Sequence, residues 1–430
     1  MGRYRQAASR GLSIGRVSKK LRVLVSSQHF WPESFRINDL VQALVERGLK
    51  IDVLTGKPNY PEGRYFPGYR GWGLQRESWS GATVFRVPLA ARRSGRALRL
   101  IINYLSFILS GLLFAPWLLR RRSYDVIFVY ASSPLLQAIP AIFLGWLKRC
   151  PVIVWVQDLW PESLTATGYV RNRAILAGVG RIVRYIYRHT DLLLISSRAF
   201  APSVAALAPG KRIVYYPNSI EAVFCTPVAG VGPEVRGLNS GFSVVFAGNI
   251  GAAQAVDVII EAAGLLKSYP DIRFILLGGG SRRDWLCQQV QARGLNNVYV
   301  PGRYPVEMMP GILKKASALL VILADKPIFS LTVPSKVQVY MAVGRPILAC
   351  LNGEGARMVV EAEAGVAAPA GDARALADAV LQLFRMNPVE REMLGDNGHR
   401  YFERNFNREV LVDKLIDHFQ SVASSDEGDR

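Results

Sequence analysis

Cysteine is scarce: Cys150, Cys225, Cys287 and Cys350 are the only four in 430 residues, and no two stand in a CxxC pair. That spacing excludes a disulfide framework and a cysteine-built zinc site, and leaves reduced packing residues of a cytosolic type. Other absences narrow the field further. The chain has no G-x-G-x-x-G fingerprint and no Walker lysine, so the standard dinucleotide and P-loop sites are excluded. Zinc-finger, RNP and basic-zipper spacings are missing, which argues against nucleic acid as a partner. No Asp-x-Asp pair stands in a plausible loop, so neither a metal nor a bound cofactor is expected. Residues 1–20 include six basic residues, no acidic one and no apolar stretch, and read as a disordered basic leader instead of a signal peptide.

Acidic residues are scarce in the first half alone. Residues 1–220 carry 32 Lys and Arg against 10 Asp and Glu, whereas residues 221–430 carry 21 against 23, so the whole net charge of +20 lies in the first half. One lobe suits a polyanionic surface and the other a small soluble ligand. The stretch 92–122 indicates which surface. Residues 100–119 are apolar almost throughout, with Arg92, Arg93, Arg96 and Arg99 before them and Arg120, Arg121 and Arg122 after. The length approaches the roughly 20 residues of a membrane-crossing helix. Asn103, Ser106, Ser110 and Pro116 interrupt it, however, and arginines at both ends leave no single positive-inside side. The expectation is an interfacial or shallowly inserted helix with its arginines on anionic head groups; an ordinary buried helix with arginine caps is the alternative.

At this length about two domains are expected. Apolar runs at 21–27, 51–55, 83–87, 125–130, 152–156, 191–195 and 213–216 read as strands, most of them followed by helical patterns such as 37–47 and 175–189. Near-continuous apolar strands between helices imply a parallel sheet covered on both faces. A polar stretch with Gly and Pro, 221–241, breaks the pattern, and the alternation restarts at 242–247, 273–277, 297–300, 318–323 and 346–350. The fold class is therefore α/β, with two doubly wound Rossmann-like domains facing a cleft. Residues 21–220 form the first domain, 221–241 the linker and 242–395 the second domain, followed by a helix over 396–422 and a disordered tail over 423–430.

In the second domain, Phe246-Ala-Gly-Asn-Ile-Gly251 follows a strand, and its glycines let backbone N–H groups approach an oxyanion. The candidate ligands are Gly248, Asn249, Ile250 and Gly251, joined by Gly279 from Gly278-Gly-Gly280 at the end of the next strand. Thr332-Val-Pro-Ser-Lys-Val-Gln338 supplies a third element. Ser335 and Gln338 have capping-box spacing, which predicts a helix start there with Lys336 in its first turn. Lysine at that end opposes the helix dipole unless an anion sits nearby; a plain surface lysine is the alternative.

In the first domain two loops repeat each other: Gln28-His-Phe-Trp-Pro-Glu-Ser34 and Gln157-Asp-Leu-Trp-Pro-Glu-Ser163. Both follow strands, so His29, Glu33, Asp158 and Glu162 are expected to converge on the cleft, with Trp160 available to stack on a sugar ring. A helix or loop cap is the alternative for Asp158, and a rigid turn filler for Trp-Pro.

From residue 21 to about 420 the chain resembles the GT-B glycosyltransferases, in particular the bacterial members of glycosyltransferase family 4 that build O-antigen, capsule and colanic acid. The resemblance rests on Gln157-Asp-Leu-Trp-Pro-Glu162, Ala247-Gly-Asn-Ile-Gly251, Pro334-Ser-Lys336 with Tyr340-Met-Ala-Val-Gly-Arg-Pro346, and Glu354 with Glu361-Ala-Glu-Ala-Gly365. It implies a nucleoside-diphosphate sugar in the second domain, an acceptor in the first, retention of anomeric configuration, and a C-terminal helix that returns to the first domain. Two departures stand out. Asn249 and Gln254 replace the family's Arg and Lys in the first donor loop, and Leu331 and Val339 replace its paired glutamates. Charge on the diphosphate then falls to Lys336, helped by Arg303.

The combined reading is a membrane-associated glycosyltransferase that uses a polyprenyl-pyrophosphate glycan as acceptor at the cytoplasmic face of the inner membrane. Asp158 is the expected acceptor base, with His29 second, and Glu33, Trp160 and Glu162 are expected to hold the acceptor. The alternatives are a sugar-nucleotide 2-epimerase and a non-catalytic membrane scaffold with a decayed donor site.

Overall fold

The computed structural model describes residues 21–92, 97–166, 172–224 and 234–428. The expected leader lies outside the described residues, as do most of the linker's middle and the last two residues of the expected tail. The first sheet comprises β1 (Arg22–Ser26), β2 (Lys50–Thr55), β3 (Gln75–Trp79), β4 (Ala82–Arg86), β5 (Val126–Ala131), β6 (Val152–Val156), β7 (Leu192–Ile195) and β8 (Ile213–Tyr215), in the order β3-β4-β2-β1-β5-β6-β7-β8. Only β3 runs antiparallel to its neighbour. Six helices accompany it: α1 (Arg36–Glu46), α2 (Ala97–Leu118), α3 (Ile139–Lys148), α4 (Glu162–Ala166), α5 (Arg173–Arg188) and α6 (Ala201–Leu207). Every residue of β5 and β6 is buried, as expected where helices cover both faces. Side chains of α2, α3, α5 and α6 pack on one face and those of α1 on the other.

The second sheet comprises β9 (Phe242–Asn249), β10 (Ile272–Gly279), β11 (Val298–Gly302), β12 (Ala318–Ile322), β13 (Ile347–Cys350) and β14 (Gly365–Ala368), all parallel, in the order β11-β10-β9-β12-β13-β14. Its helices are α7 (Val256–Leu265), α8 (Arg283–Ala292), α9 (Met309–Lys314), α10 (Pro327–Leu331), α11 (Ser335–Val343), α12 (Glu354–Glu361), α13 (Ala373–Arg385), α14 (Pro388–Asn405) and α15 (Arg408–Gly428). Strand order reverses beside β1 in one sheet and beside β9 in the other, and such switch points open ligand crevices at strand C-termini. The loops 27–35 and 250–255 therefore stand at such crevices.

The helix expected from residue 396 is in fact two, α14 and α15, and only α15 returns to the first domain. Its Leu411, Leu415, Phe419 and Val422 are buried in the core beneath β1, β5 and β6. Burial of each such side chain contributes about 1.5–3 kcal/mol. The Tyr216 hydroxyl donates to Leu411 O (3.0 Å), and Arg47 pairs with Glu409 and Asp413. The helix continues to residue 428, through much of the expected tail.

Helix α2 combines the two expectations for the apolar segment. Asn103, Phe107, Ala115 and Leu119 are buried against the domain. Asn103 Nδ2 donates to Ala90 O (2.6 Å) and its Oδ1 accepts from Gln28 Nε2 (2.7 Å), while Ser106 Oγ accepts from Ala90 N (2.9 Å). The polar interruptions thus fasten the helix to the protein. Its other face is open, with Leu98, Ile101, Leu105, Leu109, Leu113 and Trp117 exposed at helical spacing and Leu113 70% accessible. By length and composition α2 could cross a membrane, and with only 28% of its apolar window buried in the protein it is not an ordinary core helix. Beside it in the same layer, α3 exposes Trp146 and Leu147, and α5 exposes Ile175, Ile182 and Tyr185 together with Arg173, Arg181, Arg184 and Arg188.

The flanking arginines divide. Arg122 pairs with Asp52 (3.1 Å) and Arg92 turns inward, whereas Arg120 and Arg121 are exposed. Arg93 and Arg96 lie outside the described residues.

Candidate active site

On the second domain the site is built around the end of β9. Gly248 and Asn249 pair with Gly278 and Gly279 of β10. Gly248 has φ +137°, and a Cβ there would lie 2.6 Å from Lys336 Cε and 2.9 Å from Nζ, so only glycine lets this lysine lie along the strand end. Lys336 is the second residue of α11, and its Nζ sits 3.9 Å from the Phe246 ring centre. Burial lowers its pKa to about 8, and it makes no ion pair among the described residues. Across the loop, a Cβ on Gly279 would collide with the Arg303 guanidinium, which places a second cation at the same edge.

The expected capping box does not form. Pro334 is the N-cap and no side chain caps the helix, while Gln338 Nε2 donates instead to Asn218 O of the first domain (2.9 Å). Ser335 is exposed at the first helical position. The N-terminus of α11 is therefore uncapped beside an unpaired ammonium, an arrangement that suits a diphosphate. Ile250, expected among the N–H donors, is buried and engaged: its N–H donates to Gly279 O (2.8 Å) and its carbonyl accepts from Arg282 N (3.0 Å). Gly251 is buried under the Asn249 and Gln254 side chains, and Gln254 Oε1 has no hydrogen-bond partner.

On the first domain the two Trp-Pro-Glu loops differ in use. Glu33 is 1% exposed; its carboxylate accepts from Asn59 N and Tyr60 N (both 2.7 Å), Phe30 N (3.2 Å) and His29 Nδ1 (3.0 Å). It is a buried brace for the loops around it, which corrects the expectation that it touches an acceptor. Arg92 Nη2 lies 3.0 Å from His29 Nε2. Arginine can only donate, so Nε2 accepts and Nδ1 carries the proton that faces Glu33. His29 is thus buried with both ring nitrogens engaged.

The second loop is open. Asp158 is partly buried, makes no hydrogen bond or ion pair among the described residues, and has its pKa raised by burial. It lines a cavity of ≈ 810 Å³ between the domains, together with Gln157, Trp160, Asn218 and Gln338. Trp160 is nearly buried, and its Nε1–H lacks a partner. Glu162 is absent from the cavity wall; its buried Oε2 has no partner, and its charge adds to burial in raising the pKa of the Tyr187 hydroxyl. Sequence reading missed the relay that closes the cavity floor, in which Asn218 Nδ2 donates to Gln157 Oε1 (2.9 Å) and Asn218 O accepts from Gln338. Ser197 Oγ to Leu331 O (2.5 Å) and Arg198 to Glu361 (3.2 Å) add further ties between the domains.

Two doubly wound domains in one chain, with a cleft between them, define the GT-B class of glycosyltransferases. Two family models match the chain in succession: "Glycosyl transferase 4-like domain" over residues 34–219 and "Glycosyl transferases group 1" over residues 241–386. The chain belongs to the bacterial GT-B glycosyltransferases of family 4. It is 24% identical over 436 residues to WcaI of Escherichia coli (strain K12), described as a colanic acid biosynthesis glycosyl transferase, covering 92% of this chain and 99% of WcaI. Among solved structures, sucrose-phosphate synthase from Thermosynechococcus elongatus has a TM-score of 0.70 at 16% identity, covering 94% of this chain and 100% of that one. Anabaena HepE in complex with UDP has a TM-score of 0.64 at 13% identity, covering 94% and 100%. These two likenesses concern the fold.

Proposed function

We propose that this enzyme transfers a sugar from a nucleoside-diphosphate sugar to a polyprenyl-pyrophosphate-linked glycan in cell-surface polysaccharide synthesis, with retention of configuration. The observation that carries the reading is the unpaired Lys336 ammonium at the uncapped N-terminus of α11, packed against Gly248 at the end of β9. As the glycosidic bond to the donor breaks, negative charge grows on the diphosphate. Lys336, Arg303 and the first N–H groups of α11 are preorganised to stabilise it, with the glycine edge of Gly248 and Gly279 leaving room for the phosphates and Asn249 at their side. Asp158 serves as the acceptor base, since burial raises its pKa and so makes it a stronger base than an exposed aspartate. Trp160 offers its N–H to the acceptor.

The open apolar faces of α2, α3 and α5, with their arginines, hold the first domain on the anionic cytoplasmic face of the inner membrane as a peripheral protein. The relation to WcaI supports the polysaccharide context. The test is to incubate the protein with a panel of nucleotide sugars and a short polyprenyl-pyrophosphate sugar, and to weigh the product. A product heavier by one sugar residue supports the reading; donor converted without any acceptor indicates an epimerase.

A further inference from the structure

The inter-domain cavity has a wall that sugar chemistry does not account for. Beyond its polar floor it is lined from α2 by Ile101, Leu105 and Ile108, from α5 by Ile175 and Val179, and from the second domain by Phe329. Three of these six, Ile101, Leu105 and Ile175, also belong to the exposed apolar faces of α2 and α5, so the cavity is continuous with the outer surface of that layer. At the opposite end stand Asp158 and two buried donors without partners, Trp160 Nε1–H and Gln157 Nε2–H. Among the described residues Asp158 is the one charged residue in the lining. Arg99 and Arg173 stand next to the lining segments, at the first turns of α2 and α5. The volume, ≈ 810 Å³, falls within the range of about 300–1,000 Å³ typical of pockets that enclose a small ligand.

We infer that this cavity binds the isoprenoid segment of the acceptor, drawn from the membrane between α2 and α5, so that the attached diphosphate and glycan extend toward the unpartnered donors and Asp158. A free glycan has no use for the apolar wall, and a lipid chain has none for the polar floor. A molecule carrying both satisfies both. The inference rests on the lipid-linked acceptor reading, and adds that Phe329, on the donor domain, closes over the lipid.

The test uses the full chain and a fluorescent isoprenyl diphosphate of about four units bearing a photoreactive diazirine. Two variants probe the cavity: Val179→Trp fills it, and Leu105→Glu charges its mouth at an exposed position that tolerates the change. Both should bind the probe about tenfold or more weakly than wild type, while nucleoside-diphosphate affinity, which reports on the folded donor domain, is unchanged. Photolabelling of the wild type should map to residues 100–108 and 175–179. Equal probe affinity in wild type and Leu105→Glu, or labels confined to the outer stripe at Leu109, Leu113 and Trp117, overturns the inference. Failure of the acceptor reading looks different: the wild type then binds and labels in the cavity, which supports the site, but transfers no sugar to any lipid-linked glycan.

Discussion

The ammonium of Lys336 rests against Gly248 and over the Phe246 ring, 3.9 Å from its centre, with no carboxylate opposite it among the described residues. A partly buried cation held on an aromatic face at a helix N-terminus awaits an anion. Lys336→Ala should weaken nucleoside-diphosphate binding by roughly 10- to 150-fold, the equivalent of a charge-assisted hydrogen bond of about 1.5–3 kcal/mol. Calorimetric titration measures this; unchanged affinity removes Lys336 from the site.

The same lysine sets a pH dependence. Burial lowers its pKa from 10.5 to about 8, so in the unliganded protein it loses its charge as pH rises past 8. Donor affinity should be flat below that pH and decline above it. Folding runs the other way: between 8 and 10.5 the unfolded chain binds the extra proton, so this group's contribution to stability rises with pH. Lys336→Ala should flatten the binding profile; a profile still sloping above pH 8 assigns the titration to another group.

Glu33 separates bracing from catalysis. Its carboxylate accepts four hydrogen bonds inside the protein, so Glu33→Gln leaves buried N–H groups poorly matched and should lower stability by about 1–3 kcal/mol. A lowered Tm with acceptor KM unchanged in the folded fraction is the expected outcome. Wild-type Tm with a raised KM returns Glu33 to the acceptor site.

The architecture was legible because the strands are apolar and the glycine loops follow them directly. Two strands were not. β3 reads Gln-Arg-Glu-Ser-Trp, and as an antiparallel edge strand it has no buried run to reveal it. β14 reads Gly-Val-Ala-Ala, too small and short to stand out. Glu33 and Glu162 occupy equivalent places in repeated loops, yet one is locked by its neighbours' backbone and the other sits at the start of a short helix; only tertiary contacts distinguish them. Ser335 and Gln338 have the right spacing for a capping box, but the glutamine is drawn away to Asn218 across the domain boundary. The basic amphipathic face of α5 stands in its sequence as arginines on a helical period, a weaker signal than the apolar run of α2.

The proposed membrane attachment falls to the exposed arginines of the α2–α5 layer. Arg120, Arg121, Arg181 and Arg184 changed together to Gln should release the protein from anionic liposomes, at about 1 kcal/mol for each basic residue near the surface. Arg92 and Arg122 are excluded because their internal contacts would be lost. Co-sedimentation at low and high salt checks this. Wild-type protein that resists salt and carbonate and leaves only in detergent places α2 across the bilayer.

Asp158 carries the central claim. It lines the inter-domain cavity without a partner of its own, and burial raises its pKa. Asp158→Asn preserves its size and a hydrogen-bonding group but removes the base. In single-turnover transfer from nucleotide sugar to a polyprenyl-pyrophosphate glycan, the variant should bind donor as wild type does and transfer at least about 100-fold more slowly. Near-wild-type transfer, or loss of donor binding along with transfer, contradicts the account.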